Sequence, residues 1–201
     1  NSLMQSLYEI ETTVLRSSRT QGLSWGVSEE VGKAIRVLEQ SNLAGLESFK
    51  RIIDLGFDNL NKLLEVNQIN TNNLCPIHFG LFFLDQSHKK KFHQTFHFEN
   101  LVEPLISLPF LIKAAKKNLI YFHLDSKELV LNISPGSLFS VDKNQIPQII
   151  SKFSLKLTTQ REMQFSPKTW DDLYKLSLET FVDESEEKRI SGAGAGLTDN
   201  D

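Results

Sequence analysis

The sequence predicts an α+β fold, in which a helical amino-terminal third packs on a mixed or antiparallel sheet. Apolar residues recur at three- and four-residue spacing as far as residue 64, which is typical of amphipathic helices. After a polar stretch at 67–73, apolar and polar residues alternate in several short runs. Helices that precede strands, rather than alternating with them, favour an α+β chain over repeated βαβ units.

The first third contains four apolar stripes and therefore predicts three or four short helices. Gly22 and Gly26 separate the first stripe from the second, and Ser28 with Glu29 and Glu30 favours a helix start there. The stripes are Leu7, Ile10, Val14 and Leu15; Val27, Val31, Ala34, Ile35 and Leu38; Leu46, Phe49, Ile52 and Ile53; and Leu60, Leu63 and Leu64.

The polar stretch 67–73 is the predicted linker, so we expect a helical region at 1–66 and an α+β region with a carboxyl-terminal tail at 74–201. These regions form one compact domain or two tightly packed subdomains. Strands are predicted at 79–84, 138–141 and 153–158, and a hairpin at 119–133 that turns at 125–127. Pro104 and Pro109 indicate a strand that enters a helix at Leu111.

The last predicted element is a helix that begins near Pro167 and is followed by a glycine-rich tail at 192–201. Its apolar positions are Trp170, Leu173, Tyr174, Leu176 and Phe181. The tail reads GAGAGLTDND, and we expect it to be docked, with its carboxylates against arginines of the amino-terminal corner or of a neighbouring subunit.

Composition excludes several classes of protein. The 201 residues include 22 basic and 25 acidic side chains, a net charge of -3, whereas proteins that wrap nucleic acid are normally basic. The longest apolar run, 77–84, is much shorter than the ~20 residues of a membrane span. With a single cysteine and no visible secretory signal, the sequence predicts a cytoplasmic protein that contacts neither nucleic acid nor membrane.

A cluster of charged and aromatic residues at the first helical corner is the predicted ligand site. An arginine fork, an aromatic wall and a helix amino terminus together favour a small anion or carboxylate. The commoner arrangement of such residues is a salt-bridged corner around a buried tryptophan, and this structural interpretation is the favoured one. Arg189 and the acidic tail complete either arrangement. The predicted site residues are Arg16, Arg19, Trp25, Glu29, Glu30, Arg189, Asp199 and Asp201.

Cys75 and the histidines are weaker candidates. Cys75 is followed by His78, but in an extended segment a Cys-x-x-His spacing puts the two side chains on opposite faces, so we expect a buried structural thiol. His93 and His97 would share a face only on a helix, and the phenylalanines around them indicate a strand or core instead. The sequence therefore predicts no metal site and identifies no cofactor.

The two ends of the chain resemble a bacterial protein family of about this length whose function is unknown. The resemblance rests on Glu9, Ile10, Glu11 and Arg19 with the segment 22–32 (GLSWGVSEEVG), and on Ser185, Arg189 and the GAGAGLTDND ending. The middle of the chain matches little beyond Cys75-Pro76, Gly80 and residues 104–110. The resemblance implies membership of this family and transfers no activity.

Two functions remain open from the sequence. The preferred one is a non-catalytic accessory protein of small-molecule metabolism, which binds a ligand or a protein partner. The sequence is also compatible with a homo-oligomer. The alternative is a small-molecule enzyme with an Arg, Glu and Asp site at the amino-terminal corner and tail. The absence of a complete catalytic constellation in the sequence favours the first.

Overall fold

The computed structural model describes residues 5–66, 73–136, 146–159 and 165–193, and only the backbone of 182–193. The chain divides into two compact units, Asn1–Gln160 and Arg161–Asp201. The first contains five of the helices below and one sheet, and the second contains the last helix. The predicted α+β class is confirmed. Most of the predicted linker at 67–73 and the strand predicted at 138–141 lie outside the described residues.

Among the described elements, four helices precede the first strand, one helix lies between the first and second strands, and the last helix follows the fourth strand. The helices are α1 (Leu7–Thr20), α2 (Trp25–Gln40), α3 (Gly45–Leu55), α4 (Pro76–Gln86), α5 (Pro104–Asn118) and α6 (Pro167–Ala193). The strands are β1 (Thr95–Val102), β2 (Tyr121–Ser126), β3 (Val130–Ile133) and β4 (Ile149–Thr158).

The first two helices begin at serine caps. The Ser6 hydroxyl accepts from the Glu9 backbone N–H while the Glu9 carboxylate accepts from the Ser6 N–H, which forms a capping box. In α2 the cap is Ser24, whose hydroxyl accepts from the Val27 N–H. The predicted start around Ser28 is therefore wrong by about one turn, because Ser28 is buried inside the helix.

Residues 79–84, predicted as a strand, belong to the helix α4. Pro76 occupies the first turn, where its missing N–H costs no hydrogen bond. The continuous apolar run resembles a buried strand, but Ile77, Phe79, Gly80 and Phe83 are buried at helical spacing. At Gly80 an added Cβ would lie 2.7 Å from the Phe110 Cβ, so this glycine allows α4 and α5 to approach closely.

Two other boundaries differ from those predicted. α5 begins at Pro104 rather than Leu111 and continues through Pro109, because Ile106, Phe110 and neighbouring apolar side chains are buried along it. The fourth amino-terminal stripe forms no described helix. α3 ends at Gly56, which has φ of +81°, and a 3₁₀ turn at Phe57–Asn59 follows.

The sheet is antiparallel, in the order β1-β4-β2-β3. The predicted hairpin is present as β2 and β3, and the strand predicted at 153–158 is the second half of β4. Alternate side chains of the sheet point to one buried face. On this face a cluster of phenylalanines joins the sheet to α4. The cluster consists of Phe79, Phe83, Phe96, Phe98, Phe122 and Phe153, and the centroids of its contacting rings are 5.2–6.4 Å apart.

None of the helices that the structure describes combines the length and the apolar character needed to cross a membrane.

Candidate functional site

The amino-terminal corner brings Arg19 and Trp25 together, but Arg19 already has a partner within the turn. Its Nη1 donates to the Leu23 carbonyl oxygen at 2.5 Å. The guanidinium carbon lies 4.7 Å from the centroid of the Trp25 ring, within the range of cation–π contacts. Trp25 is 63% exposed, so it is not the buried tryptophan of the favoured structural interpretation. Arg19 therefore closes the α1–α2 turn.

The other predicted site residues of this corner do not converge. Glu30 accepts hydrogen bonds from Lys113 at 2.7 Å and from Lys33 at 3.3 Å, which ties α2 to α5. Arg16 and Glu29 are exposed. Asp199, Asp201 and the side chain of Arg189 lie outside the described residues, so the docked tail and the anion site stay predictions.

Cys75 and His78 are in contact, contrary to the expectation that they would lie on opposite faces. The Cys75 Sγ is 3.2 Å from the His78 Nδ1. The expectation was wrong because the segment is not extended: Cys75 is the cap residue of α4 and His78 is at the third position, whose side chain returns toward the cap. The predicted burial of Cys75 is confirmed, since 1% of the residue is exposed.

Burial keeps both members of this pair neutral at pH 7. It raises the pKa of the Cys75 thiol to about 11. Burial, with the nearby charge of Lys62, lowers the pKa of the His78 imidazole to about 4. A thiol nucleophile acts as the thiolate and profits from a lowered pKa, so this geometry is not that of an activated cysteine.

The remaining histidine candidates are separated by their secondary structure. His97 is exposed on β1, whereas His93 precedes that strand and its Nε2 contacts the Ser87 carbonyl oxygen at 3.0 Å. Within the ranges given above, no three His, Cys, Asp or Glu side chains come close enough together to hold a metal ion.

Glu103 is a buried charged residue that the sequence analysis missed. Its carboxylate accepts from the Ser48 hydroxyl at 2.6 Å and from the Arg51 Nε at 2.5 Å and Nη2 at 3.0 Å. Only 4% of Glu103 is exposed. Its φ of 46° is in the left-handed region, which is uncommon for a residue with a side chain. These bonds fasten α3 to the start of α5.

Two clefts among the described residues can be compared with ligand pockets. The cleft beside Glu103 and Arg51 has a volume of about 90 Å³, below the ~300 Å³ at which ligand pockets normally begin. The polar side chains Ser48, Arg51 and Glu103 line the smaller cleft, but they already bond to one another. The other, about 330 Å³, lies beside α4, and its lining is both apolar and polar: Leu64, Val66, Phe82 and Phe92 with Glu65, Gln86 and Lys91. The volume of the larger cleft is at the lower end of the range of ligand pockets.

Residues at the amino terminus of α6 favour a helix start there. The Ser166 hydroxyl accepts from the Thr169 backbone N–H at 3.1 Å, and Pro167 occupies the first helical position. The Lys168 Nζ is 2.6 Å from an Asp172 carboxylate oxygen, one turn along the same face. These contacts favour helix even though the helix presents large apolar side chains to solvent.

We define the α6 stripe as the large apolar side chains that recur at three- and four-residue spacing along α6. Their exposed fractions are 45–68%. Part of the stripe is an aromatic ladder, because the Trp170 ring stacks on Phe165 at 6.0 Å and on Tyr174 at 6.2 Å. The α6 stripe consists of Trp170, Leu173, Tyr174, Leu178 and Phe181.

Between positions 167 and 181, the charged residues of α6 lie away from the stripe. At 100° per residue the stripe covers an arc of about 140°, and the charged positions of this part of the helix fall outside it. They are Lys168, Asp171, Asp172, Lys175 and Glu179. A surface helix with this division normally buries its apolar face against another element. The sequence analysis predicted the helix and four of the five stripe residues. It omitted Leu178 and included Leu176, which lies off the stripe.

The comparisons with known proteins concern the amino-terminal part of the chain. A family model described as a protein of unknown function (DUF3726) matches residues 5–80. The match includes the 22–32 segment and supports the resemblance to an uncharacterised family, while α5, α6 and the sheet lie beyond it. No curated protein and no solved structure matches the chain.

Proposed function

We propose that this chain is a non-catalytic binding protein that contacts a protein partner through the α6 stripe. The observation that carries the proposal is the exposure of five large apolar side chains on one face of one helix. Tryptophan and tyrosine are enriched among the residues that dominate binding energy, because they bury a large area at little cost in conformational entropy.

The charge of α6 favours a protein over a lipid surface. Helices that lie in a membrane interface are rich in lysine and arginine on their polar face, which attracts anionic headgroups. Positions 167–181 contain two lysines and three acidic residues. The polar face therefore carries a small excess of negative charge, which anionic lipids would repel.

The enzyme alternative has less support. It requires Arg19 with Glu29 or Glu30 as free functional groups, but Arg19 donates to the Leu23 carbonyl and Glu30 accepts from two lysines. The role as an accessory protein of small-molecule metabolism stays a prediction.

A photocrosslinking experiment tests the proposal. A benzophenone amino acid is placed at Leu173, in the stripe, or at Asp172, on the charged face, and the protein is irradiated in extract of the source cells. We expect a discrete crosslinked protein from position 173 and not from 172. The identified partner, once purified, should bind wild-type protein and lose binding to Leu173→Asp. Equal labelling from both positions, or crosslinks only within the same chain, would contradict the proposal.

A further inference from the structure

We infer that the cleft of about 330 Å³ beside α4 binds a small zwitterion with an apolar substituent, such as an apolar α-amino acid. The cleft is formed by residues of the first unit alone, so the inference goes beyond the proposed function and does not depend on it. Three features of the cleft carry it: its size, its apolar wall and the opposite charges that line it.

The size and the wall of the cleft suit a small apolar group. A water molecule occupies about 30 Å³ in the liquid, so the cleft has room for roughly ten non-hydrogen atoms, about the size of leucine or phenylalanine. The apolar lining consists of Phe82 in α4, Phe92 in the 3₁₀ turn at Lys90–Phe92, and Leu64 with Val66. The Phe82 and Phe92 rings are 5.6 Å apart and nearly perpendicular. An apolar ligand group placed on this wall is removed from water, which favours binding.

One carboxylate and one ammonium group line the same cleft. They belong to Glu65 and Lys91, which are both exposed. Neither forms an ion pair with the other or with any side chain in the described ranges. The Lys91 Nζ lies 5.1 Å from the centroid of the Phe92 ring, so the positive charge is next to the apolar wall. A ligand that has both an ammonium and a carboxylate group therefore finds a partner of opposite charge for each of them.

The balance of charge favours a zwitterion over a simple anion or a simple cation. Gln86, the remaining polar residue of the lining, is bonded to a second pair of charged side chains. Its Oε1 accepts from the Lys89 Nζ at 2.7 Å, and its Nε2 donates to the Asp85 Oδ2 at 2.5 Å. An anion without a positive group would be repelled by two nearby carboxylates, and a cation without a negative group would be repelled by two ammonium groups. A ligand that has both charges can place each beside its opposite.

The test is a titration of the purified protein, followed by NMR, with three probes that differ only in their charged groups. The probes are phenylalanine, phenylpropionate, which lacks the ammonium group, and phenylethylamine, which lacks the carboxylate. We expect phenylalanine to bind most tightly. Glu65→Gln should weaken phenylalanine and phenylethylamine about two- to fivefold, the contribution of a partly exposed ion pair, and leave phenylpropionate unchanged. Lys91→Gln should weaken phenylalanine and phenylpropionate by a similar factor and leave phenylethylamine unchanged.

Lys90→Gln is the matched control, because Lys90 lies in the same 3₁₀ turn as Lys91 but outside the lining of the cleft. It should leave all three dissociation constants unchanged. The inference would be overturned if neither phenylalanine nor leucine binds at up to about 10 mM, if the three probes bind equally, or if Glu65→Gln and Lys91→Gln do not differ in the probes they weaken. These results leave the test of the α6 stripe unaffected, since the two experiments concern different residues.

Discussion

At the scale of single residues, His78 shows how burial changes chemistry that a sequence pattern suggests. A Cys-x-x-His spacing at a helix start brings the two side chains within 3.2 Å. The same fold removes them from water, which favours the uncharged form of each group. Proximity therefore produces a packed neutral pair, and the effect of His78 should be visible in the pH dependence of stability.

Replacing His78 with asparagine should make the free energy of unfolding less dependent on pH below pH 6.5. The pKa of His78 is lowered from 6.5 to about 4 in the folded protein. As pH falls from 6.5 towards 4, the unfolded chain takes up a proton that the native chain does not bind, so native stability falls. The loss is roughly 2 kcal/mol, from 1.36 kcal/mol per pKa unit discounted for partial exposure.

Urea unfolding at pH 7 and pH 4 measures the difference. In His78→Asn the decrease between these two pH values should be smaller than in wild-type protein by that amount. His97→Asn, on the exposed face of β1, is the control. Parallel pH profiles for wild type and His78→Asn would show that His78 is not buried as described.

Glu103 provides a second prediction at this scale. Ser48→Ala removes the 2.6 Å hydrogen bond to the buried carboxylate and should lower the free energy of unfolding by about 1.5–3 kcal/mol, since bonds to charged groups contribute about this much. Lys50→Ala, which removes an exposed ion pair with Asp54, should cost about 0.5 kcal/mol or less. Equal losses in chemical denaturation would mean that Glu103 does not depend on Ser48.

At the scale of elements, the packing of α4 on α5 depends on a glycine that the sequence analysis did not single out as a contact. Gly80 faces Phe110, whose side chain occupies the place that any larger residue at position 80 would need for its Cβ. The contact is invisible in the local pattern, because it depends on which residue of another helix lies opposite.

Gly80→Ala should therefore destabilise the protein, by about 1–3 kcal/mol, as overpacking of a core does. Gly26→Ala is a matched control in α2, where an added Cβ meets nothing within 4 Å. The control should be neutral or stabilising by about 0.5–1 kcal/mol, because alanine loses less backbone entropy in a helix. Denaturant midpoints of the two variants decide the question, and a neutral Gly80→Ala would show that α4 and α5 move apart at little cost.

At the scale of the whole molecule, the hydrophobic core belongs to the first unit. Every buried member of the core cluster of described residues lies between Val14 and Leu157. The cluster joins the amino-terminal helices to the sheet through α4 and α5. The second unit contributes a helix whose large apolar side chains are exposed, and binding through this helix is the proposal above.

A chain that ends at Gln160 should accordingly fold and unfold cooperatively. We expect its free energy of unfolding to differ from that of the full-length monomer by about 1 kcal/mol or less, since no member of the core cluster is removed. Loss of cooperative unfolding on this truncation would show that α6 is part of the core.

Local patterns were sufficient for the fold class, for the presence of α1 to α3, for the β2–β3 hairpin and for the start of α6. Each of these depends on periodicity or turn signals within a few neighbouring residues, which the sequence displays directly. They were insufficient for α4, because a short, continuously apolar segment suits a buried helix and a buried strand equally. Only its burial against α5 and the sheet selects the helix.

The contacts of the candidate sites required the tertiary structure. Ser48 and Glu103 are 55 positions apart and meet only because α3 packs at the start of α5. Arg19 could have bound an anion, but the turn places the Leu23 carbonyl within its reach. The apolar spacing of α6 is present in the sequence, whereas its exposure is a property of the folded chain. A pattern states which face of a helix is apolar, and the position of every other element decides whether that face is covered.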